Sequence, residues 1–253
     1  MNNNFVDIIL PNFNKATYLK EAVDSIFEQT YENWKLYIID DCSTDKSKII
    51  LEKFKNSKKV KIIYLNKNMG PSFCRNYGIR ISSSKYISFM DSDDYWTKDK
   101  LQEQISFMEK NNFKFTYTDY IPFFEKNGKK KFINKTTLKS SLTFEDFILN
   151  TSINTTTMII SRTILKHLKF KKLKKLEDYL FKCEILKQNI VAHKLNKSLA
   201  FYRILNKSRS SHKFKNIFYL WRINKKFNQL NTLKNLKSII MISINSLKKY
   251  GFK

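Results

Sequence analysis

Apolar residues fall in short blocks that alternate with amphipathic stretches over the first 117 positions. Residues 5–10 form a short, mostly apolar run, suited to a strand buried on both faces. Leu19, Ala22, Val23, Ile26 and Phe27 then recur at helical spacing, with Asn14 ahead of them as the expected N-cap. Residues 34–39 predict a second strand, closed by Asp40 and Asp41. Ser43 or Thr44 is the expected cap of a second helix carrying Ile49, Ile50 and Phe54. Residues 60–65 predict a third strand. Gly70 and Pro71 open a helix through Ile81, since proline is tolerated in a first turn. Residues 86–90 are a fourth apolar run, leading directly into Asp91, Ser92, Asp93 and Asp94. A helix over about 98–110 and a strand over 114–117 follow.

This βαβαβαβαβ order predicts an α/β fold: a mostly parallel sheet covered by helices on both faces. Polar clusters fall where strands end: Asn12 and Asn14 after the first, Asp40 and Asp41 after the second, Asp91 and Asp93 after the fourth. Open α/β sheets bind ligands at that edge. Beyond residue 118 the pattern weakens. Residues 120–143 read as a lysine-rich loop or hairpin, 155–161 as a β-branched strand and 177–188 as a helix. Amphipathic helices are expected over 214–228 and 233–250. The expected organisation is a catalytic domain over 1–212, in halves 1–117 and 118–212, with a basic helical extension over 213–253.

Charge is distributed unevenly. The net formal charge is +26, yet residues 1–100 carry 16 Lys and Arg against 13 Asp and Glu, and residues 185–253 carry no acid at all. Such a block points to an anionic partner: nucleic acid, an acidic membrane or an anionic polymer. A basic nucleic-acid-binding protein is therefore the alternative reading. Acids at the ligand edge oppose it, as does the lack of a helix-turn-helix, zinc-finger or RNA-recognition signature. The three cysteines are an odd number without metal-type spacing, so no disulfide framework and a reducing compartment are expected. With neither a basic leader nor a span of ~20 apolar residues, a cytoplasmic location is expected. The apolar segment 238–247, flanked by Lys234, Lys237, Lys248 and Lys249, suits peripheral contact with the cytoplasmic face of an anionic inner membrane, or packing on the domain.

Asp91 and Asp93, two residues apart at a strand exit, can converge on one hard cation such as Mg2+ or Mn2+. Asp41 at the same edge can accept the ring N–H of a uracil, and Phe13 can stack on that base. Taken singly, these residues serve equally well as turn formers, helix caps or core. A Gly-rich dinucleotide loop is absent after the first strand, where Pro11, Asn12, Phe13 and Asn14 stand instead.

Order and spacing join these signals. Ile8-Ile9-Leu10-Pro11-Asn12-Phe13-Asn14 with Tyr18-Leu19, Ser25-Ile26-Phe27-Glu28-Gln29-Thr30-Tyr31, Ile38-Ile39-Asp40-Asp41-Cys42-Ser43-Thr44-Asp45, Asn68-Met69-Gly70-Pro71 with Arg75-Asn76-Tyr77-Gly78, and Tyr86-Ile87-Ser88-Phe89-Met90-Asp91-Ser92-Asp93 closely resemble family 2 glycosyltransferases. The resemblance spans about 95 residues. It implies a GT-A fold and an inverting hexosyl- or N-acetylhexosaminyltransferase. The implied donor is a nucleotide sugar, usually UDP-linked, and the implied acceptor a lipid-linked or surface glycan of the bacterial envelope.

Carried over by position, Pro11, Phe13 and Asp41 hold the base, with Asn14 and Ser92 in the same donor-binding set. Asp91 meets the ribose and diphosphate, Asp93 with Asp91 binds Mn2+ or Mg2+, and Arg75 faces the diphosphate or shapes its pocket. Cys42 stands where the family usually has glycine. Asp178, supported by Glu177, fits the family's base at a helix start, where the dipole favours an ionised carboxylate. Lys171, Lys172, Lys174 and Lys175 flank this pair and suit an anionic acceptor. Tyr202-Arg203 with Ser208, Ser210, Ser211 and His212 resembles a diphosphate-gripping segment.

Overall fold

The computed structural model describes residues 4–133, 139–165, 167–205 and 213–250. Four parallel strands form its first half: β1 (Val6–Asn12), β2 (Trp34–Asp40), β3 (Val60–Tyr64) and β4 (Tyr86–Phe89). They are joined through α1 (Ala16–Phe27), α2 (Ser47–Glu52) and α3 (Pro71–Ile81). After β4 come β5 (Tyr95–Trp96), α4 (Lys100–Asn111), β6 (Phe115–Lys126), β7 (Lys129–Phe132), β8 (Ser141–Leu142) and α5 (Phe144–Asn150). The chain then forms β9 (Ile159–Ser161), α6 (Glu177–Leu186), β10 (Ala192–Arg203), α7 (Lys213–Lys226) and α8 (Thr232–Tyr250).

The main sheet runs β3-β2-β1-β4-β9-β6-β10-β5, with β7 beside β6 and β8 beside β10. Successive strand residues face opposite sides. Ile8 and Leu10 therefore join Leu19, Val23 and Ile26 of α1 in one core layer, while Ile9 joins Ile39, Phe89 and Phe181 in the other.

β9 lies antiparallel between β4 and β6, so the sheet is mixed rather than uniformly parallel in its second half. Two antiparallel steps restore direction, and β6 and the β10 paired parallel to it point the same way as β4. The C-terminal ends of β1, β2, β4 and β10 thus share one edge. The start of β9 reaches the same edge, because that strand runs the other way.

Several local expectations need correction. Asn14 does not cap α1: Lys15 holds the N-cap position without a side-chain bond. Asn14 instead adopts φ 51°, and its Oδ1 accepts from Thr44 N–H at 2.8 Å. Ser43 and Thr44 do not cap α2, whose N-cap is Lys46. Ser43 Oγ accepts from Asn14 N–H at 3.0 Å, and Asp45 Oδ1 accepts from Ser47 N–H at 2.9 Å. Asn14 and Ser43 thus bond between the first two strand exits instead of capping locally, while Asp45 supplies the local bond at the start of α2. The expected strand over 155–161 begins only at Ile159. Thr155–Thr157 is a 3-10 turn, stabilised as Asn154 Oδ1 accepts from Thr156 N–H at 3.0 Å.

Candidate active site

Parallel register aligns the strand exits: Asn12 pairs with Asp40 and Ile9 with Phe89. The loops after β1, β2 and β4 therefore open together on a cavity of about 930 Å3, into which Pro11, Phe13, Asp41, Asp91, Ser92 and Asp93 face. Arg75, Lys172, Lys174, Tyr202 and Arg203 complete much of its wall. Phe13 is 44% exposed at the mouth, presenting a ring to whatever enters. Asn14 does not line the cavity; its side chain is engaged with residues 44 and 45.

Asp41 is buried, and its two carboxylate oxygens accept from Met69 N–H at 2.6 Å and Gly70 N–H at 2.8 Å. Gly70 has φ 87°, a conformation that glycine adopts without a Cβ penalty, so the loop can turn both N–H groups inward. Asp41 thus anchors the 68–70 loop at the cavity wall. Cys42, at φ 64°, occupies a left-handed position that suits the family's glycine better.

Beyond β4, three carboxylates have three different environments. Asp91 Oδ1 receives Arg75 Nη2 at 2.7 Å. Asp93 Oδ2 receives Lys15 Nζ at 2.7 Å; burial pushes its carboxyl up more than Lys15 pulls it down. Asp94 is buried, and burial together with the charges of Asp93 and Asp91 pushes it well above the usual carboxylate range. It is the hub behind the loop, accepting from Thr156 Oγ1 at 2.7 Å and from Arg203 N–H at 3.0 Å.

Asp91 and Asp93 offer hard oxygen donors on one cavity wall, a set that fits Mg2+ or Mn2+ shared with a diphosphate. Among the described residues no group of three or more His, Cys, Asp or Glu converges on one point, so substrate oxygens and water would complete the shell. A cation seated on Asp93 would displace Lys15 Nζ.

A smaller cavity of about 230 Å3 adjoins through Arg75, Asp91 and Glu177, which line both. Arg75 is buried on α3 and joins the two: besides Asp91, its Nη1 lies 3.9 Å from Glu177 Oε1. Burial opposes its charge, but Asp91, Glu177 and Asp178 outweigh that and hold the guanidinium protonated. Among the described residues its Nε has no hydrogen-bond partner.

Asp178, in the first turn of α6, faces the smaller cavity. Its side chain is 38% exposed and accepts from Lys182 Nζ at 2.8 Å and Thr155 Oγ1 at 3.3 Å. Burial raises its carboxyl, yet Lys182 and Arg75 more than cancel this and hold it well below the usual carboxylate range. Lys182 is buried and fixed at its other side by Ile153 O at 2.8 Å.

Arg203 is placed differently from a free diphosphate ligand. Its guanidinium is shared among Asp93 O at 2.9 Å, Glu21 and Glu125, so it braces the loop that carries Asp93. Ser208, Ser210, Ser211 and His212 lie outside the described residues. Lys15, Thr155, Lys182 and Asn216 were not identified from sequence. Only Lys182 left a usable signal there, an acid followed by a base four residues later on one helix. Asn216 of α7 reaches the smaller cavity and holds Lys175 Nζ at 2.9 Å.

The model of the glycosyl transferase family 2 matches residues 7–169. WfgD of Escherichia coli, a UDP-Glc:alpha-D-GlcNAc-diphosphoundecaprenol beta-1,3-glucosyltransferase, is 31% identical over 253 residues, covering 100% of this chain and 97% of its own. S. aureus TarS 1–349 in complex with UDP-GlcNAc superimposes with a TM-score of 0.72 at 21% identity, over 96% of this chain and 73% of that one. Mannosyltransferase PcManGT from Pyrobaculum calidifontis, in complex with GDP-Man and Mn2+, gives 0.69 at 13% identity, over 98% and 76%. At those identities the two structures speak for the fold alone.

Proposed function

The chain belongs to glycosyl transferase family 2 and has the GT-A fold, and from that premise we propose that it moves a sugar from a UDP-linked donor to a hydroxyl of a lipid-linked or cell-surface glycan acceptor, inverting the anomeric carbon. The observation that carries this reading is the pair of adjoining cavities, one edged by Asp41, Asp91 and Asp93, the other by Asp178, with Arg75 and Asp91 common to both. The WfgD relative, matched over nearly the whole of both chains, names a UDP-sugar donor and a diphosphoundecaprenol-linked acceptor.

In this mechanism the larger cavity takes the donor. Phe13 stacks on the base, and Asp41 accepts its ring N–H while keeping the 68–70 loop folded. Asp91 and Asp93 face the diphosphate, where a Mn2+ or Mg2+ ion would neutralise charge on the departing nucleotide. Ser92 and Pro11 shape the wall. The acceptor enters the smaller cavity, whose wall includes Lys175, while Lys172 and Lys174 line the larger one; this run of lysines suits an acceptor that carries phosphate. Asp178, kept ionised by Lys182, takes the proton of the attacking hydroxyl as the new glycosidic bond forms and the nucleotide leaves. Glu177 fixes Arg75 from the acceptor side.

A panel of nucleotide sugars, titrated by calorimetry with and without Mn2+, tests the donor assignment. The expected result is uptake of a UDP-sugar that Mn2+ strengthens. Equal indifference to every UDP-sugar under both conditions would overturn the donor reading.

A further inference from the structure

We infer that the α7–α8 pair seats the protein on an anionic lipid surface, with the outward apolar stripe of α8 lying among the headgroups. α8 packs on the rest of the molecule through a mixed side, where Ile239 and Ile242 meet the core and polar residues add hydrogen bonds. Ser238 Oγ donates to Ile148 O at 2.5 Å and Asn245 Nδ2 to Leu149 O at 3.1 Å. Asn224 Nδ2 donates to Asn235 Oδ1 at 3.0 Å and to Ser238 Oγ at 3.1 Å, and both partners are fully buried. The opposite side carries Leu233, Leu236, Ile240 and Ile244, 78%, 45%, 56% and 38% exposed. Their steps of three and four residues place them on one helix face, over roughly 17 Å of axis. A helix packed on a water-bounded domain normally turns its apolar residues inward; α8 does so with Ile239 and Ile242 but turns this second stripe out. Ile217 and Phe218 of α7 are exposed as well.

Charge selects the occupant. Residues 185–253 contain sixteen Lys and Arg and no acid, and Arg222, Lys225, Lys226 and Lys237 of the helix pair are exposed. A second copy seated on this face would oppose two basic helix pairs that carry no acid of their own, which like-charge repulsion disfavours. An anionic headgroup layer offers the opposite charge together with an apolar boundary for the stripe. Among the described residues no helix is long and apolar enough to cross a membrane, so the contact is interfacial. This inference goes beyond the transfer reaction and holds independently of it. Asn216 places the same pair beside the smaller cavity, so docking would turn the acceptor side of the site toward the lipid.

Co-sedimentation of the full chain with vesicles tests it, using phosphatidylcholine alone and phosphatidylcholine doped with phosphatidylglycerol. We expect binding to the doped vesicles only, weakened by added salt. The variant with Leu233→Ser, Leu236→Ser, Ile240→Ser and Ile244→Ser should lower the partition coefficient about tenfold or more, and Lys237→Glu should lower it several-fold. The side chains replaced are exposed, and an unchanged circular dichroism spectrum verifies folding. No binding by the wild type, or equal binding by the quadruple variant, overturns the inference. So does a concentration-dependent dimer in ultracentrifugation that the quadruple variant abolishes, which would make the stripe a self-association face. UDP-sugar binding is read separately, so this proposal and the donor assignment can fail independently.

Discussion

Lys182 and Lys15 each contact one acid of the site, Asp178 and Asp93 respectively. Lys182 holds Asp178 below the usual carboxylate range against the push of burial. A group whose native pKa lies below its unfolded value of about 3.9 contributes stability that is complete above that pH and lost as pH falls toward the native value. The proposed base should therefore stay ionised throughout the working range, and the acid limb of kcat/KM should lie below the ordinary carboxylate region. Lys182→Met, which retains the length of the stem, should move that limb upward by roughly one unit or more, whereas Asp178→Asn should lower kcat by about 10²–10⁴ with UDP-sugar affinity retained. A limb that does not move in Lys182→Met would take the base role from Asp178 or the positioning role from Lys182. Lys15 acts at the other end of the site, where its Nζ sits 2.7 Å from Asp93 Oδ2. Lys15→Met removes a cation that competes for Asp93, so Mn2+ titrated alone, followed by its electron paramagnetic resonance signal, should bind several-fold more tightly. Unchanged or weaker binding would remove Asp93 as the ligand that Lys15 guards.

At the level of elements, the site depends on α3 lying close against β1. A Cβ built on Gly78 would come within 2.5 Å of Ile9 Cγ2, and Ile9 is itself fully buried in the core. α3 carries Arg75 and β1 ends at Asn12, so this contact sets the distance between the Arg75 bridge and the donor edge. Gly78→Ala should destabilise by about 1–3 kcal/mol, as overpacking does, and should weaken nucleotide binding in the same variant. A denaturation midpoint equal to that of the wild type would mean that the helix can move outward freely. β9 has a comparable role. Because it runs against β4, the 3-10 turn before it delivers Thr155 to Asp178 and Thr156 to Asp94.

At the scale of the whole molecule, the C-terminal helices pack into the main core. Leu220, Ile223 and Leu230 are buried in the same cluster as Phe147, Tyr179 and Phe181 of α5 and α6. Tyr179 Oη donates to Asn224 Oδ1 at 2.7 Å, tying α6 to α7. Removing residues 213–253 should therefore cost on the order of 5 kcal/mol or more, seen as a large drop in the urea midpoint. An unchanged midpoint would restore the picture of a separate extension after residue 212. The same packing leaves the outer stripe of α8 exposed.

Local order in the chain was enough for the first half of the fold. The apolar blocks of β1, β2, β3 and β4 and the helical spacing of α1 and α3 are each contained within a dozen residues, and the strand exits put Asp41, Asp91 and Asp93 on one edge. That Glu177 and Asp178 stand at a helix start was legible for the same reason, whereas the role given them came from the family resemblance. β10 was not. Its sequence AHKLNKSLAFYR mixes polar and apolar positions, and register shifts between Leu195 and Ser198 and between Ser198 and Ala200 break the period of two. Only the folded chain could decide that Asn14 bonds to Thr44 instead of capping its own helix, that Arg203 braces the Asp93 loop, and that Lys15 lies on Asp93. Periodicity is a property of neighbours along the backbone. These contacts join residues 30, 110 and 78 positions apart, and the path of the sheet, rather than any local pattern, brings them together.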